Sequence, residues 1–382
     1  MDQWTRLDPI FDSEAAARDI AAAAALRADA QDHDAGFPQE DIADLARLGL
    51  LAAPVPVEHG GAGLGTEPGA GTLAEVLRLV GYGSLALGRL YEGHVNALQL
   101  IARYGAPDQR DRLFADAHAG HLFGVWNTEP PEGGLRVEAQ DTDARLHGVK
   151  TFASGAGSVT RALVTVGHPS QAGTAMMVVP LQAGTRADLS AWRAQGMRAS
   201  ATGTVDFTGL AYEADAILGQ PDDYFRQPAF SGGAWRFAAV QLGGIEAVFD
   251  AWRGHLDRLD RGGDPHQLAR LGEGVIAVEG ARLWVERGAK VASQAALPPE
   301  RVVAYINLVR LAVERAGLDV LQLAQRSVGL QGFLRGHPLE RRARDLATYL
   351  RQPGPDRALT GAASEILRIG GMAGDLWTEN AA

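Results

Sequence analysis

The stretch "VWNTEPPEGG", residues 125–134, and the stretch "LHGVKTFASGAG", residues 146–157, decide how the chain is read. Both are short apolar–polar runs cut by Gly and Pro, the pattern of strands joined by turns. Similar runs follow at 160–169 ("TRALVTVGHP"), 174–181 ("TAMMVVPL") and 203–212 ("GTVDFTGLAY"). Together they predict a small all-β domain, a β-barrel over 119–222. On both sides the period changes to that of helices. Toward the N-terminus, 12–37 is Ala-rich, a composition of high helix propensity. Residues 38–56 open at Pro38, carry Ile42, Leu45 and Leu48 at helical spacing, and close at Gly49. Residues 72–105 are strongly apolar, and 106–120 read as a short capped helix. Toward the C-terminus the 3.6 period runs from about 235 through "HPLERRARDLATYLRQ" (337–352) and "DRALTGAASEILRIGG" (356–371), enough for four or five long helices. The expected fold is therefore mainly α with a central β domain. It has an N-terminal helical domain (1–118), the β-barrel (119–222) and a C-terminal four-helix bundle (223–382).

Composition narrows the function. The chain has 382 residues, no cysteine and a formal net charge of −10. Without cysteine there is no disulfide framework, zinc–thiolate site or cysteine nucleophile. The acidic balance argues against a nucleic-acid surface. The N-terminus lacks a signal-peptide pattern and no apolar run approaches a membrane span, so a cytoplasmic protein with no membrane partner is expected. The ten histidines are scattered, with no H-x-x-x-H pair, and no metal site is expected. The Gly-rich "HGGAGLGTEPGAG" (59–71) lacks the lysine ending and preceding strand of a phosphate loop, and reads as a connector.

The β-domain motifs resemble the flavin-binding signatures of the acyl-CoA dehydrogenase family, T-E-P-x-x-G-S followed by x-G-x-K-x-(W/F)-I-(T/S). Four further stretches are similar to that family in the same order. They are "AQGMRASATGTVDFTGL" (194–210), "WRFAAVQLGG" (235–244), "PHQLARLGE" (265–273) and "GLQGF…HPLERRARD" (329–345). The resemblance implies an FAD flavoprotein that oxidises an acyl-CoA or acyl-carrier thioester. It passes electrons to an acceptor such as an electron-transfer flavoprotein, or to oxygen. It also implies a homodimer or homotetramer. The apolar faces of "VVAYINLVRLAVERAGLDVLQLA" (302–324) are what such an assembly would need.

Carried over residue by residue, the resemblance places Thr128 at the pyrimidine edge of the flavin, Phe152 over its rings and Ser154 at N5. Gly134 stands where the family has a serine. At the adenosine end the family's R-K-x-F-G is replaced by "LDRLDRGGDPHQ" (256–267), leaving Arg261 or Arg258 to hold phosphate and His266-Gln267 to match the H-Q pair. Gln325 and Gly329 approximate the loop for the adenosine diphosphate, with Leu330 in place of a glycine. Arg236 is the arginine of the bundle-helix motif, expected at the substrate.

One group is missing. The catalytic glutamate of the family falls on Pro353, and the second location used by a subgroup falls on Trp235. Abstraction of an α-proton needs a base in hydrogen-bond reach, and neither residue supplies one. Glu92, His94 and Asp356 are the substitutes to consider, although a buried, satisfied histidine is the more common state for His94. Three readings stay open. The chain is a dehydrogenase with a relocated base, a flavin monooxygenase or N-oxidase that needs no such base, or a non-catalytic flavin or acyl-carrier binding protein.

Overall fold

The computed structural model describes residues 7, 11–66, 68–140, 143–167, 172–293, 297–369 and 372–378. Five helices come first: α1 (Ser13–Gln31), α2 (Gln39–Arg47), α3 (Ala70–Gly83), α4 (Leu85–Tyr104) and α5 (Pro107–His118). Asp12 caps α1 by accepting from the Glu14 and Ala15 amides at 3.0 Å. The apolar run at 72–105 becomes two helices because Ser84 is extended (φ −156°, ψ 120°), its hydroxyl accepting from the Leu87 amide. The Gly-rich segment between α2 and α3 is a series of turns, as a connector would be.

Nine strands follow: β1 (Phe123–Trp126), β2 (Arg136–Gln140), β3 (Asp143–His147), β4 (Val149–Ala153), β5 (Arg161–Gly167), β6 (Thr174–Pro180), β7 (Ala187–Asp188), β8 (Gly203–Asp206) and β9 (Ile217–Leu218). The β domain is built as two sheets. One is mixed, ordered β3-β2-β5-β6-β9 with β1 parallel to β5; the other is β4-β8-β7. Two isolated bridges tie the segments flanking the strands, Gly134 to Val149 of β4 and Arg145 of β3 to Ala211. The central strands β5 and β6 are buried on both faces. Val164, Val166, Met177 and Val179 join the main core, whereas Leu163, Met176 and Val178 pack with Leu98, Ile101 and Phe114 of α4 and α5. That is why these two runs read as continuous apolar sequence.

The remaining helices are α6 (Ala229–Gly232), α7 (Trp235–Arg258), α8 (Pro265–Ser293), α9 (Pro299–Val328), α10 (Pro338–Tyr349) and α11 (Pro355–Ile369), with no strand among the described residues of this part. Helix α7 crosses α3 at backbone contact. A Cβ on Gly243 would lie 1.9 Å from the Arg78 carbonyl oxygen, and one on Gly81 would lie 2.3 Å from that of Val240. The glycine in "WRFAAVQLGG" is thus a packing requirement. The "PLERRARD" motif fastens the domains. Arg344 reaches Asp32 of α1 at 2.6 Å, Glu340 at 2.6 Å and the Gln195 carbonyl at 2.5 Å. Arg341 reaches Asp29 at 2.6 Å, and Asp345 accepts from the Met197 amide at 2.6 Å.

Helix α9 accounts for its several apolar faces differently from the sequence argument. It lies against α7, α8 and α11, so its own chain covers most of them. One uncovered apolar surface is on α8, where Leu268, Val275, Ile276 and Leu283 are each more than half exposed.

Candidate functional site

Three left-handed residues that are not glycine meet at one edge of the β domain. Phe152 has φ 52°, Met197 φ 59° and Ala201 φ 41°. Such backbone is costly for a residue with a side chain and collects at functional sites. Phe152 sits where β4 slips register against β8, between Lys150 and Ala153. A bulge of this kind re-aims a side chain. The ring of Phe152 is 67% exposed and touches the described structure edge-on against Trp192, with centroids 6.4 Å apart. An exposed aromatic face presented by strained backbone is a platform for a flat apolar ring.

A run of hydroxyls lies beside it. Ser200 and Thr202 share a hydrogen bond of 2.7 Å, and Thr202 donates to the Ser154 hydroxyl at 3.3 Å. The Ser154 carbonyl accepts from Trp126 Nε1 at 3.0 Å, and the Thr128 carbonyl accepts from the Thr151 amide at 2.9 Å. Thr128, Phe152 and Ser154 are therefore brought together, as the motif match expects. Trp192, Ser200 and Thr202 were not singled out from the sequence, although Ser200 and Thr202 lie within the matched "MRASATG". Gly134 has a distinct reason to be glycine. A Cβ there would come within 2.4 Å of Glu129 Oε2, and Glu129 is paired with the buried Lys150 at 2.5 Å.

Next to this platform α4, α7 and α10 bring together a cluster of polar side chains. Asp345 and Tyr349 are i and i+4 on α10, hence one above the other. Asp345 holds Met197 at the platform, while Tyr349 feels the charges of Glu92 and Arg89. Glu92, 3% exposed, pairs with Arg89 at 2.5 Å and accepts from the Asn96 amide. Arg236 donates through Nε to Asn96 Oδ1 at 2.5 Å and through Nη1 to Gln99 Oε1 at 2.6 Å. Burial pushes Arg236 down to about 10. The Tyr349 hydroxyl is buried and has no hydrogen-bond partner among the described residues.

Two of the substitutes for the expected base, Glu92 and His94, are engaged by other groups. His94 is fully buried, with Nε2 donating to the Leu51 carbonyl at 2.7 Å and Nδ1 accepting from the Phe123 amide at 3.1 Å. It joins the N-terminal domain to β1 and is a structural histidine. Pro353 is exposed and its carbonyl accepts from Arg310 at 2.6 Å. Trp235 is 3% exposed, and Asp356 is exposed in the first turn of α11.

The adenosine-end residues form a separate group. Arg258 and Arg261 end α7, Gln267 begins α8, and Gln325 and Gly329 end α9, all at one end of the bundle. There the His337 ring caps the Leu339 amide at 3.1 Å and bonds His255 at 3.1 Å. Burial lowers both histidines, and Arg258 adds to this. This end is the N-terminus of α10, about 18 Å along the helix from Tyr349.

An exposed, strained aromatic platform beside hydroxyls, held between two helical domains, is the architecture of a flavin oxidoreductase. The comparisons give the family. The model "Acyl-CoA dehydrogenase, N-terminal domain" matches residues 13–121 and "Acyl-CoA dehydrogenase, C-terminal domain" matches 225–359, together more than half the chain. The chain belongs to the acyl-CoA dehydrogenase family. It is 25% identical to dibenzothiophene monooxygenase of Rhodococcus erythropolis, over 88% of this chain and 89% of that one. It is 26% identical to the human mitochondrial short-chain specific acyl-CoA dehydrogenase, over 81% and 77% of the two chains. The crystal structure of FMN-bound TdsC from Paenibacillus sp. A11-2 superposes with a TM-score of 0.83 at 18% identity, covering 96% of this chain and 100% of that one. No helix among the described residues is long and apolar enough to cross a membrane.

Proposed function

We propose that this chain is a flavin-dependent monooxygenase, which uses reduced flavin and dioxygen to oxidise a small organic substrate. The observation that carries this reading is the absence of a free base among the described residues weighed for that role next to the platform. Pro353 and Trp235 replace both carboxylates, Glu92 is held by Arg89 and Asn96, and both nitrogens of His94 are committed. A bound reduced flavin supplies the two electrons that let one oxygen atom enter the substrate while the other leaves as water, and this chemistry needs no α-proton abstraction. The similarity to dibenzothiophene monooxygenases over most of the chain supports it. The second reading, α,β-oxidation of an acyl thioester with an electron-transfer flavoprotein as acceptor, would require Glu92 to leave Arg89.

In this reading Phe152 lies under the flavin ring system, with Thr128 and Ser154 at its polar edge. Ser200 and Thr202 orient the Ser154 hydroxyl, and Arg236 faces the substrate. When the flavin is FAD, its adenosine half falls to Arg258 or Arg261, Gln267, Gln325 and Gly329. In a homodimer or homotetramer closed through the exposed face of α8, they would serve a neighbour's flavin. Sedimentation at micromolar concentration is expected to show an assembly, and Ile276→Glu, at a site 74% exposed, is expected to shift it toward the monomer. A cytoplasmic location fits the reaction.

Phe152 provides the direct test of the site. Phe152→Gly removes an exposed ring and relieves a left-handed residue, so the melting temperature should hold or rise. Flavin affinity should fall about 10- to 100-fold, the scale of a lost aromatic contact with its buried area. Loss of stability with unchanged flavin affinity would make Phe152 a structural residue and remove the platform.

A further inference from the structure

The charges in the pocket do not balance. Arg89 and Arg236 from α4 and α7, with the exposed Arg103 close enough to act on Arg236, face one carboxylate, Glu92. That carboxylate is taken by Arg89 and by the Asn96 amide. Arg236 is left with two neutral amide oxygens, those of Asn96 and Gln99. A guanidinium has five N–H donors. Its Nη2 lies against Gly233, where a Cβ would come within 2.4 Å, so the residue beside it leaves room for the guanidinium. A buried cation without a counter-ion is costly unless something else supplies the negative charge.

The residues around it point to where that charge comes from. Both positions at which the family carries a carboxylate for the substrate hold Pro353 and Trp235, yet the arginine has been kept. Tyr349, 6% exposed, has a hydroxyl without a partner and lies within the field of Arg89 and Glu92. It is a donor awaiting an acceptor. Arg89 keeps 28% of its side chain exposed, so the cluster reaches the protein surface at this residue. Tyr224, which also feels Arg89 and Glu92, joins it to an aromatic group. Phe225 and Phe230 stack edge-on against Tyr224, with centroids 5.0 and 5.4 Å away, and are 44% and 43% exposed.

We propose that the pocket formed by Arg236, Arg89 and Tyr349 receives an anionic group of carboxylate size on a small substrate whose apolar or aromatic body lies along Phe225 and Phe230. The guanidinium of Arg236 supplies the charge, and the Tyr349 hydroxyl donates the directional hydrogen bond. This deepens the monooxygenase reading by naming the class of molecule oxidised, and it rests on that reading for calling the ligand a substrate. It separates this chain from an enzyme for neutral aromatic compounds.

Benzoate and benzamide are the probes, because they share shape and differ in charge. The flavin-loaded protein is titrated with each by calorimetry near neutral pH, and flavin content is read from visible absorbance for every variant. Benzoate is expected to bind about tenfold or more tightly than benzamide. Arg236→Gln should erase the difference, and Tyr349→Phe should weaken benzoate about three- to tenfold while leaving benzamide unchanged. If Arg236→Gln does not fold, Tyr349→Phe decides. Equal affinity for the two probes, or benzoate binding that neither substitution alters while flavin is retained, overturns the proposal. A protein that takes up no flavin defeats the oxygenase reading instead, and the same titration of that protein still decides the anion pocket.

Discussion

Butyryl-CoA mixed anaerobically with the flavin-loaded protein is expected to leave the flavin oxidised on the time scale on which an ordinary acyl-CoA dehydrogenase bleaches. General-base catalysis of proton transfer is worth about 10²–10⁴ in rate, and the two positions at which the resemblance puts the base hold Pro353 and Trp235. Pro353→Glu should raise single-turnover reduction by a large part of that factor. Residue 353 is exposed at the start of the turn before α11, and Gly354 after it already has φ 62°, which lets the loop redirect a longer side chain. Trp235→Glu tests the second location at a structural cost. Trp235 is 3% exposed and Arg236 lies over its ring at 5.8 Å, so removing it should cost about 3–5 kcal/mol. Rapid bleaching of the unmodified protein by butyryl-CoA would sink the oxygenase reading and direct attention to Glu92 and Asp356. His94 would not be next, because neither of its nitrogens is available.

Stability is expected to fall as the solution is acidified from pH 7 to 4, with His94 as a main cause. Burial pushes this imidazole down to about 4 from the usual 6.5. The folded state therefore holds it neutral where the unfolded chain takes up a proton. A depressed folded value means that the stabilisation is complete above the unfolded value, near pH 6.5, and is lost as pH falls toward 4. The loss should reach about 2 kcal/mol at pH 5 and about 3 kcal/mol at pH 4. Urea denaturation of the unmodified protein and of His94→Asn at both ends of this range provides the check. The substitution should cost about 1–3 kcal/mol at pH 7 for each group left unpaired, the Leu51 carbonyl and the Phe123 amide. It should also flatten the pH profile. A profile unchanged in the variant would remove His94 from the account.

The alternation of apolar and polar positions was enough to place a β domain between helical ones, because periods of 2 and 3.6 are local properties of the chain. The motifs at 125–134 and 146–157 likewise located Thr128, Phe152 and Ser154, since the strands and turns that carry them lie close together in sequence. The resemblance put both expected carboxylate positions on residues that carry no base, Pro353 and Trp235. Tertiary structure decided the rest. Arg236, Glu92 and Tyr349 lie on three helices far apart in sequence, and no local pattern states that one carboxylate faces two guanidiniums there. Whether His94 was a base or a brace depended on Leu51 and Phe123, distant residues that occupy its two nitrogens. The apolar faces of α9 are met by α7, α8 and α11 of the same chain, while α8 keeps Leu268, Val275, Ile276 and Leu283 exposed. The platform depends on a left-handed phenylalanine, and strain of that kind is imposed by the surrounding fold, so residue type alone does not announce it.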